Sequence, residues 1–341
     1  MKYLVSIIVV VIFFSCQDKE KIPKRVEANM QTTFEKVKEI SLDSNTVFDI
    51  RYLSVNKEKD LLITNRARNE VFLFDSSGTL KAKLSEKLDA GFPGGNWAPL
   101  HAYFKKNGEI FVSNSVPWGI LFGGKGAFKK FMPEVYNGTA DLAFDRNNHI
   151  YSLKNNYEGF FIRRYDSSGN EVDMISNIDT SFKHINKRAI IGNNLIVVND
   201  HLFYKNISKP NVYKYNSSGN LISTFSETPA YYKRPNSDMD YKGSGPDLDR
   251  NKLSQSVFKF ATKYTANYSI HHLDQDLLLI QYVNMGGNYG YQIVSTTGDY
   301  ILDYDLYTKN KIMAAKDGYI YINATVDEIA PRIDVYKYIK H

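Results

Sequence analysis

The stretch Phe74-Asp75-Ser76-Ser77-Gly78 recurs at Tyr165-Asp166-Ser167-Ser168-Gly169 and at Tyr215-Asn216-Ser217-Ser218-Gly219, with a weaker copy at Ser295-Thr296-Thr297-Gly298. Each copy lies between two segments rich in β-branched and aromatic residues, such as residues 71–74 before the first copy and 79–84 after it. Asp or Asn opens a turn by bonding its own backbone, and Gly supplies the positive φ that closes it. The stretch therefore predicts a hairpin between two antiparallel strands.

A second series of turns precedes these hairpins along the chain. Short polar segments lead into apolar, strand-like stretches at residues 56–60, 106–109, 145–148, 192–194, 274–276 and 316–318. The two series together outline six four-stranded units, which start near Phe48, His101, Thr139, Arg188, Tyr268 and Lys311. Four-stranded antiparallel units that recur at roughly 40 to 50 residues are typical of β-propeller blades.

The last unit reaches only its third strand, residues 332–339, before the chain ends. Residues 34–42 precede the first unit and read as a spare strand. We expect this N-terminal strand to complete the last blade and close the ring, because closure removes the open sheet edges. The prediction is an all-β, six-bladed β-propeller over residues 34–341. The alternatives are an open stack of sheets or two β-sandwiches.

Composition supports strands and limits the partners. The chain has 25 Tyr and 20 Phe among its 341 residues, which favours strands over helices. The formal net charge is +6, but lysines and arginines are interspersed with acidic residues and no long run of like charge occurs. This pattern argues against nucleic-acid binding, and we expect a monomer.

The N-terminus has the pattern of an export signal. Residues 4–14 are apolar apart from Ser6, which is too short for a transmembrane helix and typical of a signal peptide over residues 1–15. The only cysteine, Cys16, follows directly and is the candidate lipidation site. Residues 16–33 are predicted to be a flexible tether. The alternative is an ordinary secretory leader with an incidental cysteine.

Two phrases carry a resemblance to a known family. Residues 145–151, Asp-Arg-Asn-Asn-His-Ile-Tyr, and residues 107–112, Asn-Gly-Glu-Ile-Phe-Val, are similar to the blade phrase of NHL-type propellers. With the leader, the chain resembles the six-bladed, NHL-like propeller lipoproteins of Bacteroidota. That resemblance implies a lipid-anchored protein of the outer membrane or cell surface, or one facing the periplasm, and it implies no particular reaction.

The connections between strands are unequal on the two faces of the predicted propeller. The tight turns share one face, whereas long loops and an insertion at about residues 226–266 share the other, where binding residues usually lie. We expect the insertion to act as a lid or to be a solvated ornament. The candidate ligand-binding residues in these loops are Arg66, Arg68, Trp97, Trp118, Tyr157, Tyr204 and Tyr289. The alternative is that the aromatic residues only hold their own loops on the scaffold.

A second group of candidates lies where inner strands begin. His101, Asp141 and Arg188 are predicted at the mouth of the central channel. The sequence has no metal-binding spacing and no cofactor motif, so we expect neither a metal nor a cofactor. The leading hypothesis is a module that binds an extracellular small molecule, glycan or partner protein through its loops. The alternative is a hydrolase or lyase acting at the channel mouth, and a third is a structural component of an envelope complex.

Overall fold

The structure is a computed structural model. It describes residues 33–43, 49–65, 68–88, 97–114, 119–132, 135, 139–155, 160–176, 193–206, 210–226, 266–283, 289–308, 310–325 and 331–339. The predicted signal peptide, Cys16, the tether up to residue 32 and most of the 226–266 insertion lie outside these residues. Within them, no helix is long and apolar enough to cross a lipid bilayer.

The described residues form six four-stranded antiparallel sheets, which are the blades of a propeller. Blade 1 consists of β2 (Ile50–Val55), β3 (Leu61–Asn65), β4 (Glu70–Phe74) and β5 (Leu80–Lys83). Blade 2 consists of β6 (Pro99–Phe104), β7 (Ile110–Asn114), β8 (Gly119–Phe122) and β9 (Phe128–Met132). Blade 3 consists of β10 (Thr139–Phe144), β11 (Ile150–Asn155), β12 (Phe160–Tyr165) and β13 (Glu171–Ser176). Blade 4 consists of β14 (Leu195–Val198), β15 (His201–Lys205), β16 (Asn211–Tyr215) and β17 (Leu221–Ser226). Blade 5 consists of β18 (Ala266–Asp274), β19 (Leu277–Val283), β20 (Tyr289–Ser295) and β21 (Tyr300–Thr308). Blade 6 consists of β22 (Ile312–Lys316), β23 (Tyr319–Asn323), β24 (Arg332–Tyr338) and β1 (Phe34–Ser41). The prediction of a six-bladed all-β propeller is confirmed.

Blade 6 combines the two ends of the chain. Its sheet has the order β1-β24-β23-β22, and β1 pairs antiparallel with β24 from Phe34↔Tyr338 to Ser41↔Arg332. The N-terminal strand is therefore the outer strand of the last blade, as the sequence predicts.

The repeated turns that define the sequence pattern share one geometry. In the first, the Asp75 carboxylate accepts the backbone N–H groups of Ser77 at 2.8 Å and Thr79 at 3.0 Å, and Gly78 has φ +93°. Asp166 and Asn216 accept the corresponding pair of N–H groups in their own turns. A fifth copy, residues 123–127 in blade 2, has no Asp or Asn and closes through the backbone, with Gly126 at φ +86°.

The glycine of each such turn packs against the preceding blade. A Cβ on Gly78 would lie 2.8 Å from both Ile40 Cγ2 and the Ser41 carbonyl oxygen of β1. The equivalent glycines meet the outer segment of the preceding blade in the same way: Gly126 at Leu84, Gly169 at Met132, Gly219 at Ile175 and Gly298 at Phe225. Glycine is needed here for two reasons, since the position requires both positive φ and the absence of a side chain.

Cationic side chains add a second contact between blades at these turns. Lys130 on blade 2 donates to the Ser168 carbonyl of blade 3 at 3.4 Å, and Lys214 on blade 4 donates to the Thr296 carbonyl of blade 5 at 3.1 Å. Lys38 and Arg164 bond the carbonyls of Ser76 and Ser217 in the same way. These groups are exposed or half-buried, so we expect each to stabilise the fold only modestly.

The hydrophobic core is divided among the blade interfaces. The described buried residues form six clusters, and each joins residues of neighbouring blades. One of them, for example, packs Ile40 and Met313 of blade 6 against Leu53 and Phe72 of blade 1. A blade therefore buries its two faces only against its neighbours.

The sequence assignment of blade 4 is wrong by one strand. Residues 192–194 were predicted to be the turn after the innermost strand, and residues 199–211 a long loop. The innermost strand is instead β14, its turn is Asn199–Asp200 with both residues at positive φ, and the next strand is β15. A turn of two non-glycine residues lacks the usual signal, because Asn and Asp adopt positive φ less readily than Gly.

The first prediction concerns the turn glycines. Gly78→Ala should lower the free energy of unfolding by about 1–2 kcal/mol more than Gly108→Ala, measured by chemical denaturation. Both positions have positive φ, but nothing lies within 4 Å of a Cβ at Gly108. Equal losses for the two variants would contradict the packing role of Gly78.

The second prediction concerns ring closure. Phe34 is 2% exposed and its ring lies 5.8 Å from that of Tyr291 and 5.7 Å from that of Tyr338. Phe34→Ala should destabilise the whole propeller by about 3–5 kcal/mol in a single transition, as followed by thermal unfolding. Val37→Ala on the same strand, where Val37 is 45% exposed, is the control and should change stability by less than about 0.5 kcal/mol. A separate early transition confined to blade 6 would argue against closure as a requirement for the ring.

Candidate functional site

The two ends of the central channel differ in the connections that surround them. The innermost strands are β2, β6, β10, β14, β18 and β22. Each runs toward the tight turns that follow it, and we call that side the turn face. The opposite side, where the innermost strands begin, carries the longer connections and is called the loop face.

Some of the residues predicted in the loops and at the channel mouth lie outside the described residues. Arg66, Trp118, Tyr157 and Arg188 fall there, as do residues 227–265 of the insertion. Their roles in binding, and that of the insertion as a lid, stay predictions.

The other loop candidates occupy different blades. Arg68 is exposed between β3 and β4, and Tyr289 is half-buried at the start of β20. Trp97 is half-buried just before β6, with its ring 6.4 Å from that of Phe122 in an edge-on arrangement. Trp97 therefore holds its own segment against blade 2. This agrees with the alternative that the loop aromatics hold their loops on the scaffold.

Tyr204 is not a loop residue. It lies in β15, is 2% exposed, and stacks on Tyr213 at a ring distance of 5.9 Å. Its misplacement follows from the strand error in blade 4. The buried ring belongs to the interface between blades 3 and 4.

Asp141, predicted at an open channel mouth, is instead a buried clamp with 1% exposure. Its Oδ1 accepts the Tyr103 hydroxyl at 2.9 Å and the Leu142 N–H at 2.8 Å. Its Oδ2 accepts the N–H groups of Leu195 at 2.9 Å and of Asn194. Burial raises the pKa of Asp141 to about 6 against the opposing effect of these hydrogen bonds. One carboxylate thus ties together blades 2, 3 and 4.

Two tyrosines extend this clamp across the channel. Tyr52 of blade 1 lies 5.1 Å from Tyr103 between ring centres, and its hydroxyl is hydrogen-bonded to Tyr103 and to the side chain of Asn193. The backbone N–H of Ile270 in blade 5 donates to the Asn193 carbonyl at 2.6 Å. This polar crosslink therefore joins five blades. The sequence analysis missed it, although tyrosines on the first two innermost strands are a signal that could have found it.

Positive groups gather on the loop-face side of the crosslink. Arg51 is the second residue of β2 and Lys311 directly precedes β22, and both act electrostatically on His101. Lys205 is fully buried on β15, where its ammonium donates to the Gln281 carbonyl at 3.2 Å and lies 4.6 Å from the ring centre of Tyr282. Burial lowers the pKa of Lys205 well below its usual value, so the charge here is carried chiefly by Arg51 and Lys311, which we call the axial cation cluster.

The electrostatics of this region are strongly perturbed. Burial, together with Arg51 and Lys311, lowers the pKa of His101 to about 3. Burial, together with Lys311 and Lys205, lowers the pKa of His271 to about 3. Burial lowers the pKa of Lys311 to about 8, although Asp49 opposes this. Both imidazoles are therefore neutral at pH 7, while Lys311 is mostly charged. Clusters of this kind are more frequent at functional sites than elsewhere.

A cavity of about 680 Å³ opens on the turn face, on the other side of the crosslink. Tyr52, Tyr103 and Asn193 line its inner end, and the turns after β2 and β6, with the last residue of β22, line its outer end. The sequence did not predict it, because the spacing of inner strands around an axis is not encoded in any one blade. Within the described part of the chain, no three His, Cys, Asp or Glu side chains are grouped as metal ligands.

The comparisons with known proteins find similarity of fold. The sequence matches no protein-family model, and no curated protein matches it in sequence. The structure is similar to that of a Bacteroides fragilis protein inferred to be exported, with a TM-score of 0.67 and 12% identity over 93% of this chain and 98% of that one. It is also similar to a DUF4221 family member from Bacteroides vulgatus, with a TM-score of 0.65 and 10% identity over 90% of this chain and 98% of that one. A streptogramin B lyase is less similar, with a TM-score of 0.53 and 14% identity over 92% of this chain and 90% of that one. At these identities the likeness shows the propeller fold alone.

The third prediction tests the clamp. Asp141→Asn should lower the free energy of unfolding by about 3 kcal/mol, because an amide nitrogen cannot accept the N–H groups that the carboxylate holds. Asp75→Asn is the matched control, since Asn216 already serves in the equivalent turn. We expect a loss below about 0.5 kcal/mol for the control, measured by urea unfolding. A tolerated Asp141→Asn would mean that the carboxylate does not hold the blades together.

Proposed function

We propose that this protein is exported to the cell envelope, is anchored through Cys16, and binds an extracellular ligand through its loop face. The observation that carries the proposal is the axial cation cluster, in which Arg51 and Lys311 lie where innermost strands begin. The positive charges of Arg51 and Lys311 act on each other's surroundings here, which favours a ligand with an acidic group. An acidic glycan, an acidic peptide or the acidic surface of a protein fits this description.

The direction of the first strand supports the choice of face. β1 begins at Phe34, which pairs with Tyr338 at the turn-face end of β24. A tether that precedes Phe34 therefore leaves the propeller from its turn face. An anchor at Cys16 would turn the loop face away from the membrane and toward extracellular ligands. The similarity to a Bacteroides protein inferred to be exported agrees with this location.

A hydrolase or lyase at His101 and Asp141 is less well supported. Both oxygens of Asp141 accept hydrogen bonds from the scaffold, and the side chain is 1% exposed. His101, with a pKa of about 3, would be a weak general base near neutral pH. The favoured function is therefore binding, without a reaction.

The fourth prediction tests the cluster. The purified protein without its lipid should select acidic over neutral members of a combined glycan and peptide array. Arg51→Gln combined with Lys311→Gln should weaken the binding of the best array member by about tenfold or more, since both charges would face the acidic group of the ligand. Lys125→Gln, an exposed cation in a turn of blade 2, is the control and should bind as the wild type does.

The pH dependence of the same hit is a further check. Lys311 loses its charge as the pH rises through about 8, so wild-type affinity should fall between pH 7 and pH 9. Lys311→Arg should keep its affinity over that range, because arginine stays protonated. A preference for neutral array members, or a pH dependence unchanged in Lys311→Arg, would contradict the proposed site.

A further inference from the structure

The turn-face cavity is distinct from the loop-face site and has its own chemistry. Its walls include Val55, Phe104, Val197 and Ala315, which come from four innermost strands. Its volume of about 680 Å³ falls within the range of small-molecule sites, about 300–1,000 Å³. Such a space accommodates a molecule with an apolar body.

The outer end of the cavity carries more cations than anions. Lys57, Lys105, Lys106 and Lys316 line it, together with one carboxylate, that of Glu58. Lys105 is neutralised by Glu109 at 3.0 Å. Lys57 lies 3.5 Å from Glu58, which lines the cavity beside it, whereas Asp317, which lies 3.5 Å from Lys316, is not part of the lining. The cations that can act on a bound molecule are therefore chiefly Lys106 and Lys316.

Lys106 and Lys316 both line this end of the cavity, and the charge of Lys316 acts on Lys106. Burial and the ammonium of Lys316 lower the pKa of Lys106, and the carboxylates of Asp317 and Asp200 each oppose this more weakly than Lys316 favours it. Asp200 is itself paired with Arg146 at 3.1 Å, and Asp317 lies 3.5 Å from Lys316. An anion between the two ammonium groups would relieve their repulsion.

We propose that the turn-face cavity is a second binding site, which takes a small organic anion with its acid group between Lys106 and Lys316 and its apolar body on the aliphatic walls. The crosslink of Tyr52, Tyr103 and Asn193 closes the inner end, so this site and the loop-face site are filled independently. The inference does not depend on the proposed function.

Two fluorescent probes that differ only in charge test the proposal. Anilinonaphthalene sulfonate carries a sulfonate on an aromatic body, and N-phenylnaphthylamine is its neutral counterpart. Titration of the folded protein with each probe should give tighter binding of the sulfonate. Lys106→Gln combined with Lys316→Gln should weaken the binding of the sulfonate probe by about tenfold and leave the binding of the neutral probe unchanged. Lys125→Gln should change neither, and circular dichroism confirms that each variant is folded.

The outcomes separate this site from the loop-face site. Sulfonate affinity that is unchanged in Lys106→Gln/Lys316→Gln overturns the proposal. Sulfonate affinity that is lost only in Arg51→Gln/Lys311→Gln also overturns it, because the anion would then bind at the loop face, and the proposed function would stand. Loss in the Lys106/Lys316 pair with retention in the Arg51/Lys311 pair supports a separate turn-face site.

Discussion

The fold depends on close contact between each blade and the one before it. A blade has two apolar faces and cannot bury either alone, so the six described clusters all lie between blades. The turn glycines set how closely the outer strands approach, since a Cβ at Gly78 or Gly169 would overlap the preceding blade. The same spacing holds the inner strands around the axis and so determines the width of the channel.

The channel shows how this scaffold combines rigidity with binding chemistry. The polar groups of Asp141, Tyr103, Tyr52 and Asn193 at mid-channel are engaged with one another and join blades 1 to 5. The cations lie on either side of that crosslink, where Arg51 and Lys311 face one end and Lys106 and Lys316 the other. The polar groups that hold the blades together are thus separate from the cations toward the two ends of the channel.

The sequence predicts the fold better than the site. Asp75 and Gly78 form a turn through local bonds, so their pattern can be read from five residues. The closing strand could be predicted because the last unit lacks its outer strand and residues 34–42 are left over before the first unit. Asn199 and Asp200 form a turn without glycine, and the strand order of blade 4 was misread for that reason. Asp141 was recognised as a residue of the innermost strands, but its burial depends on Asn194 and Leu195, more than fifty positions away in the chain. Contacts between blades carry little local pattern, so the cavity could not be predicted, and the crosslink had only the tyrosines of the first two innermost strands as a signal.

The pairing of β1 with β24 has a mechanical consequence for an anchored protein. The strands of blade 6 run between the two faces, and β1 begins at the turn face. Tension on a tether before Phe34, when directed along β1, pulls this strand along its own axis. The hydrogen bonds from Phe34↔Tyr338 to Ser41↔Arg332 then share the load in shear, instead of opening one after another as in a zipper. If the protein is anchored as proposed, the strand that closes the ring is also the element that would carry the load.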